Sequence, residues 1–340
     1  MPAAGKPRPT MKDVAALAGV SFKSVSRVVN GEPVTDAVRD KVLRAVEQLD
    51  YRHNLAASNL RRKTGGTRVV GALVQDLANS FSSELLRALE DACRERQVAL
   101  LAASLDEEPD RERALVSDLV SRRVDGLVIM PASDRHDYLD VERRAGLPTV
   151  FVDRHPRGID ADTVTTDNLQ GGYDAVRHLL DRGHERIAVL SDLPSIQTAA
   201  LRLRGAEKAL QDRGIPVEEW MVRADLRADD DAERAVAEAL SRPDPPTAFV
   251  ALRNILSIGA LRALRAAGRD GEVALVGFDD FPTADLMDLT VVRQDVTRIG
   301  RVAADLLFAR LDGDDSTPRH VVVPHRLVPR GSGEVPPPHL

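Results

Sequence analysis

From Thr67 onward, short runs rich in β-branched and aliphatic residues alternate with helical stretches of about ten to fifteen residues. The runs are 69–74, 98–103, 126–130, 149–152, 186–190, 247–251 and 273–277. Parallel strands need a crossover between them, usually a helix, so this alternation prescribes an α/β fold with parallel sheets flanked by helices. Ligands of such sheets lie beyond the carboxyl ends of the strands, which directs attention to the residues just after each run. Those residues are polar: Asp76 and Asn79, Asp153-Arg154, Arg253-Asn254 and Asp279-Asp280. A carboxylate after a strand serves equally well as the cap of the next helix, and spacing alone does not separate the two roles.

Residues 10–52 have a different pattern, that of three short helices. Thr10 is a good N-cap and Asp13 places a carboxylate near the positive end of the first helix. Val14, Leu17 and Ala18 fall on one face, Gly19 supplies a permissive turn, and Val20 plugs the junction. Ser21 caps a second helix with Val25, Val28 and Val29 inward, which leaves Phe22, Lys23, Ser24 and Arg27 outward. In a helix-turn-helix, the first residues of the second helix reach base edges in the major groove. Lys23 and Arg27 can donate to guanine, and Phe22 can meet a thymine methyl. Asn30-Gly31 and Pro33 stop this helix. Thr35 caps a third, whose Val38, Val42, Val46 and Leu49 close a small core.

Charge is divided unevenly along the 340 residues. Residues 1–65 carry twelve Lys/Arg against six Asp/Glu, whereas the remainder carries 35 against 47. A basic head on an acidic body suits a nucleic-acid contact confined to one end. Cys93 is the only cysteine, which excludes an intrachain disulfide and a cysteine-based zinc site. No secretory h-region follows the N-terminus, and no apolar run reaches the ~18–20 residues that span a bilayer. A cytoplasmic protein with no membrane partner, no metal and no cofactor is expected.

The motifs Thr10-x-Lys12-Asp13-Val14-Ala15, Ala18-Gly19-Val20-Ser21 and Val25-Ser26-Arg27-Val28-Val29-Asn30-Gly31 stand in the head, with Val42-Leu43 after them. Tyr51-Arg52-x-Asn54, Ala57 and Leu60-Arg61 follow. In these residues, and in the layout of nearly the whole chain, the protein resembles the LacI/GalR family of transcriptional regulators. The resemblance implies DNA contacts at Thr10, Ser21, Phe22, Lys23, Ser24, Arg27, Asn30, Tyr51, Asn54, Ala57, Leu60 and Arg61. It also implies a hinge helix in 53–66 that pairs with its twin on a palindromic double-stranded operator and drives Leu60 into the central minor groove. Such a wedge trades stacking energy for a kinked duplex. Two departures bear on the hinge: His53 stands where the family usually has proline, and Ser58 where arginine is common.

For the body, the resemblance implies a type I periplasmic-binding-protein fold. Lobe one is expected from 67–165 with 296–322, and lobe two from 166–295 with 323–330. A small-molecule effector of the sugar, sugar acid or sugar phosphate class is expected between the lobes, on Asn79, Phe81, Asp153, Arg154, Arg202, Asn254 and Asp279. Here too there are departures. The segment Asn79-Ser80-Phe81-Ser82 lacks a proline and a second aromatic. Arg253-Asn254 replaces Asn-Asp, and Leu226 lies where some members have a stacking ring. The added cation favours an anionic effector by charge pairing. Residues 1–9 are expected as a disordered basic arm and 331–340 as a disordered, proline-rich tail.

Two competing classes share such a core, an α/β enzyme and a solute-binding protein. The first strand run is followed by neither GxGxxG nor GxxxxGK[ST], and the chain has no GxSxG, HExxH or CxxC. The basic head and the missing leader argue against a transport-type binder. The sequence reads as a homodimeric, effector-controlled DNA-binding repressor without catalytic residues.

Overall fold

The computed structural model describes residues 9–29, 32–51, 66–133 and 135–338. It separates into one unit of Met1–Thr67 and another of Arg68–Leu340. Among the site expectations, Asn30, Asn54, Ala57, Leu60 and Arg61 lie outside the described residues. So do nearly all of the hinge segment, residues 1–8 of the arm and 339–340 of the tail.

In the first unit, α1 (Met11–Ala18), α2 (Phe22–Val29) and α3 (Asp36–Gln48) surround Val14, Val25 and Val42, each fully buried. Burial of each valine contributes roughly 2 kcal/mol. The start of α1 is fixed by a capping box: the Asp13 carboxylate accepts from the Thr10 N–H and hydroxyl, both at 2.7 Å. Gly19 ends the helix at φ +63°, a left-handed conformation that costs glycine little. Ser21 caps α2 by accepting from the Ser24 N–H at 3.1 Å.

Two expectations for the head are corrected. Leu17 is 46% exposed, because α1 has only two turns and its buried stripe runs through Met11, Val14, Ala15 and Ala18. Thr35 occupies the N-cap of α3 but makes no side-chain cap bond.

Among the described residues the second unit holds two six-stranded sheets. The first is built from β1 (Val69–Val74), β2 (Ala99–Ser104), β3 (Gly126–Ile129), β4 (Thr149–Val152) and β5 (Asp162–Thr166), with a late strand, His320–Val323. The second is built from β6 (Ile187–Leu190), β7 (Val222–Arg223), β8 (Ala248–Ala251), β9 (Ala274–Phe278) and β10 (Thr290–Arg293). That late strand is β11, and β12 (Arg326–Val328) closes the second sheet. The orders are β11-β5-β4-β3-β1-β2 and β12-β10-β9-β8-β6-β7. Every pairing is parallel except β10 with β12.

Strand periodicity sorts the side chains onto two covered faces. Val70, Ala72 and Val74 of β1 pack with α4 (Ser80–Glu95) and with the helix Val296–Leu311, while Leu73 packs on the other face with α5 (Pro109–Ser121). The second sheet is clothed in the same way by α6 (Asn168–Leu180) and α7 (Gln197–Asp212) on one face. On its other face lie α8 (Asp229–Leu240) and α9 (Asn254–Ala266). The chain passes from one sheet to the other after β5, after β10 and after β11, so three strands of chain join the lobes.

The tail does not match the expectation of disorder. Leu275 N–H donates to the Ser332 carbonyl at 2.8 Å, and the Ser332 hydroxyl returns a bond to the Leu275 carbonyl at 2.6 Å. Glu334 accepts from the Thr290 hydroxyl at 2.7 Å and meets His178 Nε2 at 2.7 Å. His184 Nε2 donates to the Val335 carbonyl at 2.8 Å, and the Val335 side chain packs on the apolar core of lobe two. Composition reported only the prolines, whereas the ordering comes from buried polar groups of lobe two that these tail atoms satisfy.

Candidate functional site

The head presents the first turn of α2. Phe22 is 41% exposed and Lys23 is exposed beside it. Arg27 Nε lies 3.4 Å from Glu32 Oε2, with both side chains about half exposed, so its guanidinium is already paired when it faces solvent. Ser24 is half-buried, its hydroxyl 2.9 Å from that of Ser21, so both serine side chains act in the cap. The Tyr51 ring is buried in the head's core at 9% exposure.

The seven residues expected at the effector, Asn79, Phe81, Asp153, Arg154, Arg202, Asn254 and Asp279, line one cavity between the two sheets. Its free volume is about 40 Å³. A buried water needs roughly 10–15 Å³, so in this arrangement the lobes are drawn close together. The contact that draws them together is direct. Asn79, N-cap of α4, accepts from the Phe81 N–H at 3.0 Å and donates to Asn254 Oδ1 at 3.2 Å. Asn254, at the start of α9, donates in turn to the Ser80 hydroxyl at 2.9 Å. His155 N–H adds a second bridge, donating to Gln197 Oε1 at 2.8 Å.

Asp153 and Asp279 hold equivalent places in the two lobes. Each follows a strand with its backbone in the left-handed region, φ +68° and +67°, and each N–H donates to the next strand at 2.9 Å, to Val164 and Val292. For a residue with a Cβ this conformation is held by its surroundings, and it turns both carboxylates into the cavity. Burial pushes the Asp153 carboxyl well above the usual aspartate range, against the pull of Arg154 and Arg202.

Arg202 is anchored from four directions. It donates to Asn168 Oδ1 at 2.7 Å, to the Leu252 carbonyl at 3.0 Å and to Asp279 at 3.2 Å, and it lies 3.8 Å from the centre of the Phe278 ring. The helices bring it there by backbone contact: a Cβ on Gly172 would sit 2.0 Å from the Arg202 carbonyl oxygen, and one on Gly205 would sit 1.9 Å from that of Leu169. The Arg202-x-x-Gly205 spacing is therefore the signature of a helix crossing at the site.

Residues 67–330 match the family described as periplasmic binding proteins and sugar binding domain of the LacI family, and residues 10–54 match bacterial regulatory proteins of the lacI family. The chain is 31% identical to the HTH-type transcriptional repressor PurR of Photobacterium profundum, over 89% of this chain and 92% of that one. It is 31% identical to the ribose operon repressor of Escherichia coli, over 95% and 99%. The lac repressor dimer bound to operator and the anti-inducer ONPF superimposes with a TM-score of 0.84 at 27% identity, over 96% and 99% of the two chains. The chain belongs to the LacI family.

As a LacI-family DNA-binding repressor it has an effector-binding core, and the cavity between its lobes contains groups that sequence reasoning missed. Gln294 donates to Asp279 Oδ1 at 2.6 Å and leaves its own Oε1 buried without a donor among the described residues. Asp192 pairs with Arg253, and Glu107 grips Arg154 through two bonds, at 2.7 and 2.5 Å. A polar residue just after strand β6 was the signal available for Asp192. The other post-strand carboxylates are structural: Asp76 caps the Ala78 N–H at 2.8 Å, and Asp280 forms a two-bond pair with Arg330. Leu226 packs in the core of lobe two and does not line the cavity. Among the described residues no helix is long and apolar enough to cross a membrane.

Proposed function

We propose that this LacI-family regulator is a cytoplasmic homodimer that reads a palindromic operator and releases or grips it according to a small effector held between its lobes. The reading surface is the exposed start of α2, with Lys23, Arg27 and Phe22 at base edges and Thr10, Ser21 and Ser24 holding the helix end toward the phosphates. Asn30, Asn54, Ala57, Leu60 and Arg61 complete it, with Leu60 as the minor-groove wedge of a hinge in 53–66. The effector, of the sugar, sugar acid or sugar phosphate class, is held by Asn79, Phe81, Asp153, Arg154, Arg202, Asn254 and Asp279. The protein binds this ligand and does not transform it.

One observation carries the reading: polar residues from both lobes, more than a hundred positions apart in the sequence, converge on one cavity where Asn79 touches Asn254. A ligand that changes this contact changes how the lobes sit, which is the differential interaction an effector needs. The solved lac repressor complex, a dimer with operator and a small molecule, supports the same arrangement. For the dimer contact we assign edge strand β2 and its neighbours, where Leu101 is 41% and Leu77 44% exposed, because an open apolar edge calls for a partner.

In vitro selection from random duplexes tests the DNA reading. It should return an inverted repeat, as twofold symmetry requires. Leu60→Ala should then weaken that site far more than random DNA. An asymmetric consensus, or equal losses on both duplexes, removes the paired-hinge reading.

A further inference from the structure

Arg154 stands between two parts of the cleft. On one side is the cavity at Arg202 and Asp279, and on the other a larger one, of about 220 Å³, reaching His155, Gln197 and Arg227. Its guanidinium is 9% exposed and the Glu107 carboxylate 11%. Besides its two bonds to Glu107, Arg154 donates to the Pro131 carbonyl at 3.0 Å, and its Nε lies 3.5 Å from Asp153 Oδ2 without a hydrogen bond.

Glu107 reaches Arg154 from an unusual turn. Asp106 and Glu107, directly after β2, are both left-handed, at φ +55° and +58°, and the turn is pinned by the Asp106 N–H on the Gln75 carbonyl at 2.8 Å. Two successive non-glycine residues in that region cost on the order of 1 kcal/mol each. Such strain persists only where the surroundings enforce it, and here its result is a carboxylate placed on Arg154.

The charges of the cleft then close among themselves. Arg202 faces Asp279, Arg253 faces Asp192, and Arg154 faces Glu107. Asp153 shares Arg154 with Glu107, 3.5 Å from its Nε, with its carboxyl held toward the neutral form by burial. Among the described residues, the charges at the cavity of Arg202 and Asp279 therefore sum to zero with Asp153 protonated and to a negative value with it ionised, and every cation lining that cavity has a carboxylate partner; Arg157 and Arg227 line only the larger cavity. Among the fully buried atoms of that cavity's lining, the open polar valences are an acceptor, Gln294 Oε1, and a donor, Arg154 Nε. A hydroxyl group answers both, and an anion answers only the second.

We propose that Glu107 sets the charge class of the effector: by neutralising Arg154 it reserves the cavity at Arg202 and Asp279 for uncharged, hydroxyl-bearing ligands and refuses carboxylates and phosphates there. This rests on the reading of the cleft as the effector site. It also reverses the inference drawn from Arg253 in the sequence, since that cation is already spent on Asp192.

The test uses the full chain and three probes, inorganic phosphate, ribose and ribose 5-phosphate, titrated calorimetrically at fixed ionic strength. Glu107→Gln keeps the shape of the side chain and leaves Arg154 with only the 3.5 Å contact to Asp153. It should bind phosphate and ribose 5-phosphate about tenfold tighter than the parent or better, and Glu107→Gln with Arg154→Met should lose that gain. Anion affinities that agree within about twofold between parent and Glu107→Gln overturn the proposal, and so does undetectable binding in both. A gain that survives removal of Arg154 also overturns it, since the anion would then sit on Arg157 or Arg227. A parent that prefers ribose 5-phosphate to ribose does the same. If Glu107→Gln does not fold, as judged by its melting transition, Glu107→Ser is read by the same criteria. Failure here leaves the regulatory reading intact, whereas an anion that binds the variant without altering operator affinity counts against that reading alone.

Discussion

Arg27 and Glu32 meet across the end of α2, so a guanine that took the Arg27 guanidinium would displace a carboxylate. An exposed pair of this kind is worth about 0–1 kcal/mol, less than the ~1–3 kcal/mol of a two-bond contact to guanine, and the DNA contact wins. Arg27→Ala and Lys23→Ala should each cost ~1–3 kcal/mol of operator affinity and relax base preference at one position, read by mobility shift on a set of single-base operator variants. Unchanged specificity in both variants removes them from base reading. At this scale the sequence was partly legible. It located Asp76, Asp153, Asp279 and Asp280 but missed Asp192 after β6, and spacing alone could not rank the four it found, because they look alike until backbone direction is known. Left-handed backbone turns Asp153 and Asp279 inward, while a local N–H and Arg330 occupy Asp76 and Asp280. Glu107 was invisible for a related reason: its function comes from a strained turn and a partner 47 residues away.

The crossing of α6 and α7 is where element packing serves the site. A methyl group on Gly205 would lie within bonding distance of the Leu169 oxygen, so Gly205→Ala must push the helices apart. Overpacking of this kind costs about 3 kcal/mol, and it should appear as a lower denaturation midpoint together with weaker effector binding. A variant as stable as the parent would show that the crossing is looser than described. The tail offers a second element-scale test. Burial raises the Glu334 carboxyl, but bonds from Thr290, Gly331 and His178 outweigh it and hold the group below its ordinary value of 4.5. A depressed folded pKa gives stability that is present above about pH 4.5 and is lost as pH falls through the folded value. Glu334→Gln should therefore be less stable than the parent at neutral pH, and the two denaturation curves should converge below that pH. A constant difference down to acid would contradict the clamp. The strand runs around 69–74 and 149–152 were readable because aliphatic residues dominate them. β5, with sequence Asp-Thr-Val-Thr-Thr, was not: all five residues are buried, and its Asp162 is paid for by Arg310 at 2.7 Å, a partner the local sequence does not reveal. Strands β7 and β12, of two and three residues, are too short for any periodicity to register.

At the scale of the whole molecule, a DNA-binding head is joined to an effector-binding core, and twofold symmetry would make the pair a switch. If β2 carries the twofold contact, Leu101→Arg should yield a monomer by analytical ultracentrifugation and reduce affinity for the full palindrome toward that of one half-site. A variant that remains dimeric moves the contact elsewhere. Fold class and two-part organisation were legible at this scale because alternation and capping are local properties, whereas the closeness of the lobes depends on Asn79 and Asn254, 175 positions apart. The central claim is that the two sites share free energy, and linkage makes that measurable from both ends. Titrate the selected palindrome onto the full chain with and without the effector, then titrate the effector with and without the palindrome. The account predicts that both experiments return the same coupling factor, within about 5–150-fold. An effector that binds the cleft yet leaves operator affinity unchanged would contradict it.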